Sequence, residues 1–278
     1  LPFEEGLQKE RDLFATLVAG EQSKALRHIF FGEREAQRVP GLPADTQVLP
    51  VGKLVVIGGG TMGGGIAMSA ANFGVPVTIV EMTDDALAKG LQRCEANWQR
   101  TVASGRLSQA EYEKRRALLS GSTDFEKTVG ETDLVIEAVF ENMEVKKEAF
   151  ARLDAVCKPG AILASNTSYL DVNAIAAMTS RPEDVIGLHF FSPAHVMKLL
   201  EIVVADKASP EVVATGFALA KALRKVAVRS GVCDGFIGNR ILSYYRKALD
   251  GVVMAGASPF DVDRTLVNFG LAMGPLAV

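Results

Sequence analysis

Apolar positions along the chain alternate between short continuous runs and longer stretches with apolar residues three or four apart. The runs KLVVIG (53–58), VPVTIVEM (75–82), TDLVIEAV (132–139), AILASN (161–166), DVIGLHFF (184–191), KLLEIVVAD (198–206) and KVAVRS (225–230) predict strands. Between them the spacing predicts a helix starting near Thr61, charged helical segments through 84–119, and helices over 143–157, 171–179 and 209–223. Strands alternating with helices imply an α/β fold, a mostly parallel sheet covered on both faces. From Gly235 onward Phe236, Ile237, Ile241, Leu242, Tyr245 and Leu249 recur at helical spacing, predicting the start of an all-α domain. At the other end Leu7, Phe14, Leu17, Val18, Leu26, Ile29 and Phe30 mark a helical segment. VPGLPADTQVLPVG (39–52) follows, with three prolines and two glycines, and reads as an extended linker. The expected division is a helical linker segment over 1–52, a sheet domain over 53–231 and the start of a helical domain over 232–278.

One turn in this pattern carries chemistry. VVIGGGTMGGGIAMSA (55–70) holds six glycines in the eight positions 58–65. Gly58, Gly60 and Gly63 form GxGxxG between a predicted strand and a predicted amphipathic helix, the context in which that pattern cradles a pyrophosphate. Gly58 makes the tight turn, Gly60 lets the backbone approach the phosphates and Gly63 permits close helix–strand packing. The anion then sits at the helix N-terminus, where free N–H groups and the helix dipole favour negative charge. Glu81 closes the next strand, placed to accept from ribose hydroxyls and to repel a 2′-phosphate, so NAD is expected over NADP. A Rossmann-type doubly wound sheet follows as the expected fold. Gly65 is expected to ease packing of the helix on the sheet, and Gly59 and Gly64 to tolerate alanine where φ is negative.

Composition narrows the rest. The formal charge is −3 with 23% charged residues, which gives no reason to expect nucleic-acid binding. No apolar run is long enough to span a membrane. The three cysteines, Cys94, Cys157 and Cys233, lie far apart and fit a reducing compartment. Three histidines, His28, His189 and His195, are too few for a His-rich metal centre, and no metal is expected. The first residue is Leu1 and the final LAMGPLAV carries no stop signal, so the chain reads as a fragment of something larger.

A dehydrogenase acting on an alcohol needs a base. His189 lies near the C-terminal end of VIGLHFF, the edge that forms the ligand crevice of a parallel sheet. His195 follows in the loop SPAHVM, and His28 lies in the N-terminal helix. A hydrogen-bonded core histidine is the competing reading for His189. LASNTS brings Ser165, Asn166, Thr167 and Ser168 to the same edge, and Glu201 on the next strand is placed to hold an imidazole. Ser168 alone is equally a helix N-cap, and Glu201 alone an edge-strand carboxylate in solvent.

Together GGGTMGGGI, SNTS, GLHFFSPAHVMKLLEIV and DGFIGNR resemble the 3-hydroxyacyl-CoA dehydrogenases of fatty-acid β-oxidation, over about residues 53–278. The segment 1–52, with KALRHIFFGEREAQR, is similar to the linker that follows the enoyl-CoA hydratase module of multifunctional β-oxidation enzymes. The resemblance implies oxidation of (3S)-3-hydroxyacyl-CoA by NAD, with His189 as base, Glu201 as its carboxylate partner, and Ser168 and Asn239 bonding the substrate oxygen. It also implies cofactor contacts from Met62, Glu141, Lys146 and Ser168, although Glu141 and Lys146 read alone are a helix-start acid and an exposed lysine. Ser192 stands where many members have Asn, and Asp234 where they have Pro. An acyl-CoA substrate is implied, with a thiolase or a second copy as partner. A bacterial cytoplasm is the expected compartment and a peroxisome the other. Competing readings are a β-hydroxyacid or sugar-acid dehydrogenase and a non-catalytic NAD-binding module. The first of these resemble one another in using a lysine base, whereas here a His–Glu pair stands at the family's spacing.

Overall fold

In the computed structural model, which describes residues 1–43 and 45–277, a continuous sheet of eight strands carries helices on both faces. Ala44, within the expected linker, and Val278, at the end of the expected helical segment, lie outside the described residues. Two helices come first, α1 (Phe3–Ala19) and α2 (Glu21–Ala36), broken at Gly20, where the backbone turns extended. The sheet body follows as β1 (Leu54–Ile57), α3 (Thr61–Asn72), β2 (Val77–Val80), α4 (Asp84–Ala103), α5 (Gln109–Ala117), β3 (Leu119–Ser122) and α6 (Phe125–Gly130). It continues through β4 (Leu134–Glu137), α7 (Met143–Val156), β5 (Ile162–Ser165), α8 (Val172–Ala176), β6 (Val185–Phe190), β7 (Leu199–Val204), α9 (Pro210–Ala222) and β8 (Val226–Gly231). Two helices close the chain, α10 (Gly238–Met254) and α11 (Pro259–Phe269).

The strand order is β3-β2-β1-β4-β5-β6-β7-β8. The first six in that order run parallel; β7 is antiparallel to β6, and β8 is parallel to β7. The chain reverses direction across the sheet between β1 and β4, the switch point where such sheets bind ligands at their carboxyl ends. Two expectations change here. The segment 84–119, expected to be helical throughout, ends in β3, an edge strand. The sheet also turns antiparallel at β7, because the residues between Phe190 and Leu199 are too few for a crossover.

Burial explains the alternating pattern. Leu54, Val56, Val77, Ile79, Leu134, Ile136, Leu188 and Ile202 pack with α3, α4 and α9 on one face. Val55, Val135, Leu163, Val185 and Val203 pack with α6, α7 and α8 on the other. Phe150 on α7 is fully buried, and burial of such a side chain stabilises the fold by about 1.5–3 kcal/mol. Side-chain caps start most of the sheet-body helices: Thr83 on α4, Ser108 on α5, Asp124 on α6, Asn142 on α7, Asp171 on α8 and Ser209 on α9. Helix α3 has none.

Among the described residues, 39–43 and 45–52 form neither helix nor strand and are laid against the body. Val39, Leu42, Leu49 and Val51 pack on the core, the Leu49 N–H donates to Thr215 Oγ1 at 2.9 Å, and Arg229 on β8 donates to the Pro40 carbonyl. Helices α1 and α2 bury no residue, and Phe14, Leu17, Phe30 and Phe31 lie exposed.

Candidate active site

At two positions of the turn after β1, Gly58 and Gly63, only glycine fits. Gly58 has φ +95°, and a Cβ there would lie 2.9 Å from the Ala138 carbonyl oxygen. A Cβ on Gly63 would lie 1.8 Å from the Gly58 oxygen, so the helix can sit this close to the turn only with glycine. Gly60, the residue before α3, has nothing within 4 Å of its Cβ position. Its side toward solvent is an open cradle, and Met62 stands half-buried in the helix's first turn. The first-turn N–H groups of α3 take no side-chain cap and no acidic residue neutralises them, which suits an incoming phosphate.

Glu81, at the end of β2, turns its carboxylate onto this turn. Oε1 accepts from the Gly59 N–H at 2.6 Å, and Arg93 on α4 donates to the Gly59 carbonyl at 3.0 Å. Two expectations about the remaining glycines need correction. A Cβ on Gly59 would meet Gly90 Cα, Ile79 Cγ2 and Glu81 Oε1, each at 3.3 Å, so alanine there would crowd the contact between the turn and α4 rather than enter open space. Gly65 faces Ala194, not the sheet: its Cβ would lie 3.2 Å from the Ala194 Cβ and backbone N, so it seats the loop after β6 against α3.

At the far side of the crevice edge, His189 and Glu201 sit opposite each other in the antiparallel ladder of β6 and β7. His189 is 3% and Glu201 1% exposed, with Nδ1 and Oε2 2.7 Å apart. A carboxylate can only accept, so the proton belongs on Nδ1 and Nε2 is left as the ring's acceptor. The imidazole lies between the rings of Phe191 and Phe236, at centroid separations of 4.4 and 5.5 Å. Glu201 is thus neither a solvent carboxylate nor bound only to the histidine. Its Oε1 accepts from the N–H of Gly238, the first residue of α10, at 2.7 Å. Asn239, next in that helix, is half-buried beside this contact.

The SNTS loop is held to the same edge. Asn166 Oδ1 accepts from the Phe190 N–H at 2.9 Å, tying the loop to the end of the histidine strand. Glu141 Oε1 accepts from Thr167 Oγ1 at 2.6 Å, the Ser168 N–H at 2.8 Å and the Tyr169 N–H at 3.1 Å. Partial burial pushes the Glu141 carboxyl up, but these bonds and the Lys146 ammonium outweigh it and hold it below its ordinary value. Ser168 caps no helix; the cap of α8 is Asp171.

Lys146, expected at the cofactor, is 1% exposed and turned inward: Nζ donates to Glu137 Oε1 at 2.7 Å and lies 3.5 Å from Glu141 Oε2. It is thus not the exposed lysine of the local reading, and the cause is plain, since an ammonium this buried must be paired. Glu137 is the residue that sequence reasoning missed. It ends an apolar strand as Glu81 does, and only the lysine nine positions on hinted at its partner. Ser192 is exposed just beyond β6. His195 is half-buried with Nδ1 unpartnered; burial, and then the nearby Lys225 ammonium, hold its imidazole below the ordinary value. Lys225 Nζ donates to the carbonyls of Ala194 and Met197, closing that loop. His28 lies exposed on α2. Among the described residues no cluster of His, Cys, Asp and Glu could hold a metal ion, and no helix is long and apolar enough to cross a membrane.

Fold and edge together define a dinucleotide-binding α/β protein with an imidazole–carboxylate pair set into the sheet across the crevice from its cradle. The chain belongs to the 3-hydroxyacyl-CoA dehydrogenase family. The family model for the "3-hydroxyacyl-CoA dehydrogenase, NAD binding domain" matches residues 53–233, and that for the C-terminal domain matches residues 235–278. NAD is accordingly the dinucleotide of this domain. The peroxisomal bifunctional enzyme of Cavia porcellus is 43% identical over 281 residues, covering 100% of this chain and 38% of that protein. The peroxisomal fatty acid beta-oxidation multifunctional protein MFP2 of Arabidopsis thaliana is 40% identical over 272 residues, covering 97% of this chain and 37% of that one. The chain thus spans under two fifths of the length of these curated relatives. Among solved structures, (S)-3-hydroxybutyryl-CoA dehydrogenase from Ralstonia eutropha is similar with a TM-score of 0.78 and 32% identity, covering 82% of this chain and 81% of that one.

Proposed function

We propose that this chain carries the dehydrogenase step of a larger β-oxidation protein: NAD-dependent oxidation of (3S)-3-hydroxyacyl-CoA to 3-oxoacyl-CoA. The observation that carries this reading is the His189–Glu201 pair, 2.7 Å apart at the crevice edge of an NAD-binding sheet. His189 Nε2 takes the proton of the 3-hydroxyl while Nδ1–H stays on Glu201, whose charge stabilises the imidazolium that forms. Ser168 and Asn239 bond the substrate oxygen and orient it as it becomes a carbonyl. When bound, NAD supplies the hydride acceptor, and the open Gly60 side, the uncapped start of α3, Met62, Glu81, Glu141 and Ser192 are the features that would hold it. The two phenyl rings beside His189 exclude water from the imidazole, so the Glu201 charge acts on it at short range.

The bifunctional and multifunctional relatives named above are peroxisomal, and a peroxisomal setting is part of the proposal. An enoyl-CoA hydratase unit in the same protein would supply the 3-hydroxyacyl-CoA. A thiolase, which consumes 3-oxoacyl-CoA, is the proposed partner, with a second copy of the chain as the other candidate. The test is NADH-linked reduction of acetoacetyl-CoA by the intact protein, run beside longer 3-oxoacyl-CoA substrates and a free sugar acid. Turnover confined to the CoA substrates and lost in His189→Ala, with NADH still bound, is the expected result. Full turnover in His189→Ala, or preference for the sugar acid, overturns the reading.

A further inference from the structure

Beneath the SNTS loop lies a charged group that the mechanism above leaves unused. Glu137 is fully buried at the end of β4, and its carboxylate joins three separate parts of the chain. Oε1 accepts from the Val139 N–H at 2.7 Å, in the loop before α7, and from Lys146 Nζ at 2.7 Å, on α7. Oε2 accepts from Ser165 Oγ at 2.8 Å, on β5, and that hydroxyl oxygen in turn accepts from the Thr167 N–H at 3.2 Å. Lys146 passes the interaction outward, since its ammonium also lies 3.5 Å from Glu141 Oε2 and 3.5 Å from the Val139 carbonyl. Glu141 then gathers the Thr167 hydroxyl and the Ser168 and Tyr169 N–H groups on its other oxygen.

Stability is a weak reason for such a pair. Desolvation of both ions offsets their attraction, and apolar residues of the same volume often hold a fold as well or better. Position is a stronger reason. The ammonium sits between two carboxylates, one buried and immobile, the other at the crevice edge. Neutralising Glu137 would leave Lys146 with a single anionic partner, Glu141, and draw that carboxylate inward, away from the Ser168 N–H.

We propose that Glu137 is a positioning residue for the dehydrogenation: through Lys146 and Glu141 it fixes the loop that presents Ser168 to the substrate oxygen. The inference rests on the role given to Ser168 above. Lys146 is then a relay between the two carboxylates.

A double-mutant cycle in the intact protein tests this, with kcat and KM for a 3-hydroxyacyl-CoA as readouts. Ser168→Ala and Glu137→Gln are each expected to lower kcat about 10- to 100-fold, the scale of a misplaced contact, with KM changing less. The double variant should be no slower than Ser168→Ala within about twofold, the usual tolerance of additivity, because both changes act on one interaction. The pair replacement Glu137→Leu with Lys146→Met is the second arm. With no buried charge left unpaired it should fold, unfolding several degrees lower because the Val139 N–H and Ser165 hydroxyl lose their acceptor, and show the lowered kcat, and it carries the test if Glu137→Gln alone fails to fold. Multiplying losses in the double variant, or wild-type kcat in the Leu/Met variant, overturn the relay while leaving Ser168 in its role. Wild-type kcat in Ser168→Ala overturns the role of Ser168 itself, and the relay with it.

Discussion

Replacing Glu201 by glutamine separates geometry from charge at the dyad, because the side chain keeps its shape while one of its two oxygens becomes a donor. In the native site both oxygens accept, one from His189 Nδ1–H and one from the Gly238 N–H, each at 2.7 Å. The Gly238 N–H cannot change sign, so the amide oxygen belongs there and the amide NH2 faces Nδ1. That arrangement moves the imidazole proton to Nε2, and the ring can no longer accept from the substrate hydroxyl. The flipped amide restores the working tautomer but sets NH2 against the Gly238 N–H, leaving a buried donor unmet at about 1–3 kcal/mol. The competent form is thereby reduced about 5- to 150-fold. A neutral bond in place of a charge-assisted one removes about 1 kcal/mol more from the imidazolium, a further several-fold. The expected loss in kcat is therefore about 25- to 800-fold. Steady-state NADH absorbance with acetoacetyl-CoA in the intact protein measures kcat, and NADH fluorescence titration should show binding unchanged. Wild-type turnover in Glu201→Gln would refute the tautomer reasoning outright.

Two glycines of the cradle should behave oppositely. Gly60→Ala adds a methyl into space with no protein atom within 4 Å, so thermal unfolding should stay at the wild-type temperature while NADH affinity falls; Gly63→Ala, whose Cβ would lie 1.8 Å from the Gly58 oxygen, should lower both. Calorimetry and NADH titration on the two variants check this, and equal effects on stability would contradict it. Asp133 gives a pH prediction: the hydrogen bond from Lys158, with those from the Gly52 and Lys53 N–H groups, holds its carboxyl below the ordinary value. Its contribution is present above about pH 4 and is lost as pH falls through the depressed folded-state value, because the unfolded chain then binds the proton more readily. Urea unfolding at neutral pH and near pH 3 should show a smaller acid loss in Asp133→Asn than in the wild type.

The sheet body was legible wherever one physical signal dominated. β1, α3 and β2 announce themselves as an apolar run, a glycine turn and a second apolar run, and His189 with Glu201 stood out because charge inside a buried strand demands a partner. β3 was not legible: Leu119–Ser122 reads LSGS, an edge strand with a single apolar residue and no alternation to detect. The reversal at β7 could have been read from the short connection after Phe190, which leaves no room for a crossover helix. Glu137 and Lys146 escaped for a different reason. Periodicity reports which face a residue takes, but two opposite charges from separate elements cancel only in three dimensions, and nothing in the apolar run around Glu137 names Lys146 as its partner. The glycines show the same limit, since the partner that crowds Gly59, Gly90, lies on another helix.

The pairing of His189 with Glu201 across a strand ladder ties the chemistry of the site to the arithmetic of insertions and deletions. Between them lie residues 191–198, of which Phe191 packs on the imidazole and Ala194 is seated against Gly65, so only the exposed stretch 196–198 can change length without touching the dyad. A single residue gained within β7 is another matter. It would turn Glu201 to the face now held by Leu200 and Ile202, among Val212, Leu219 and the rest of the α9 contact, and present an apolar side chain to the imidazole. Base and partner are therefore inherited as one unit: only the exposed stretch of the loop between them is free to diversify among descendants, while the two strands must keep their frame together.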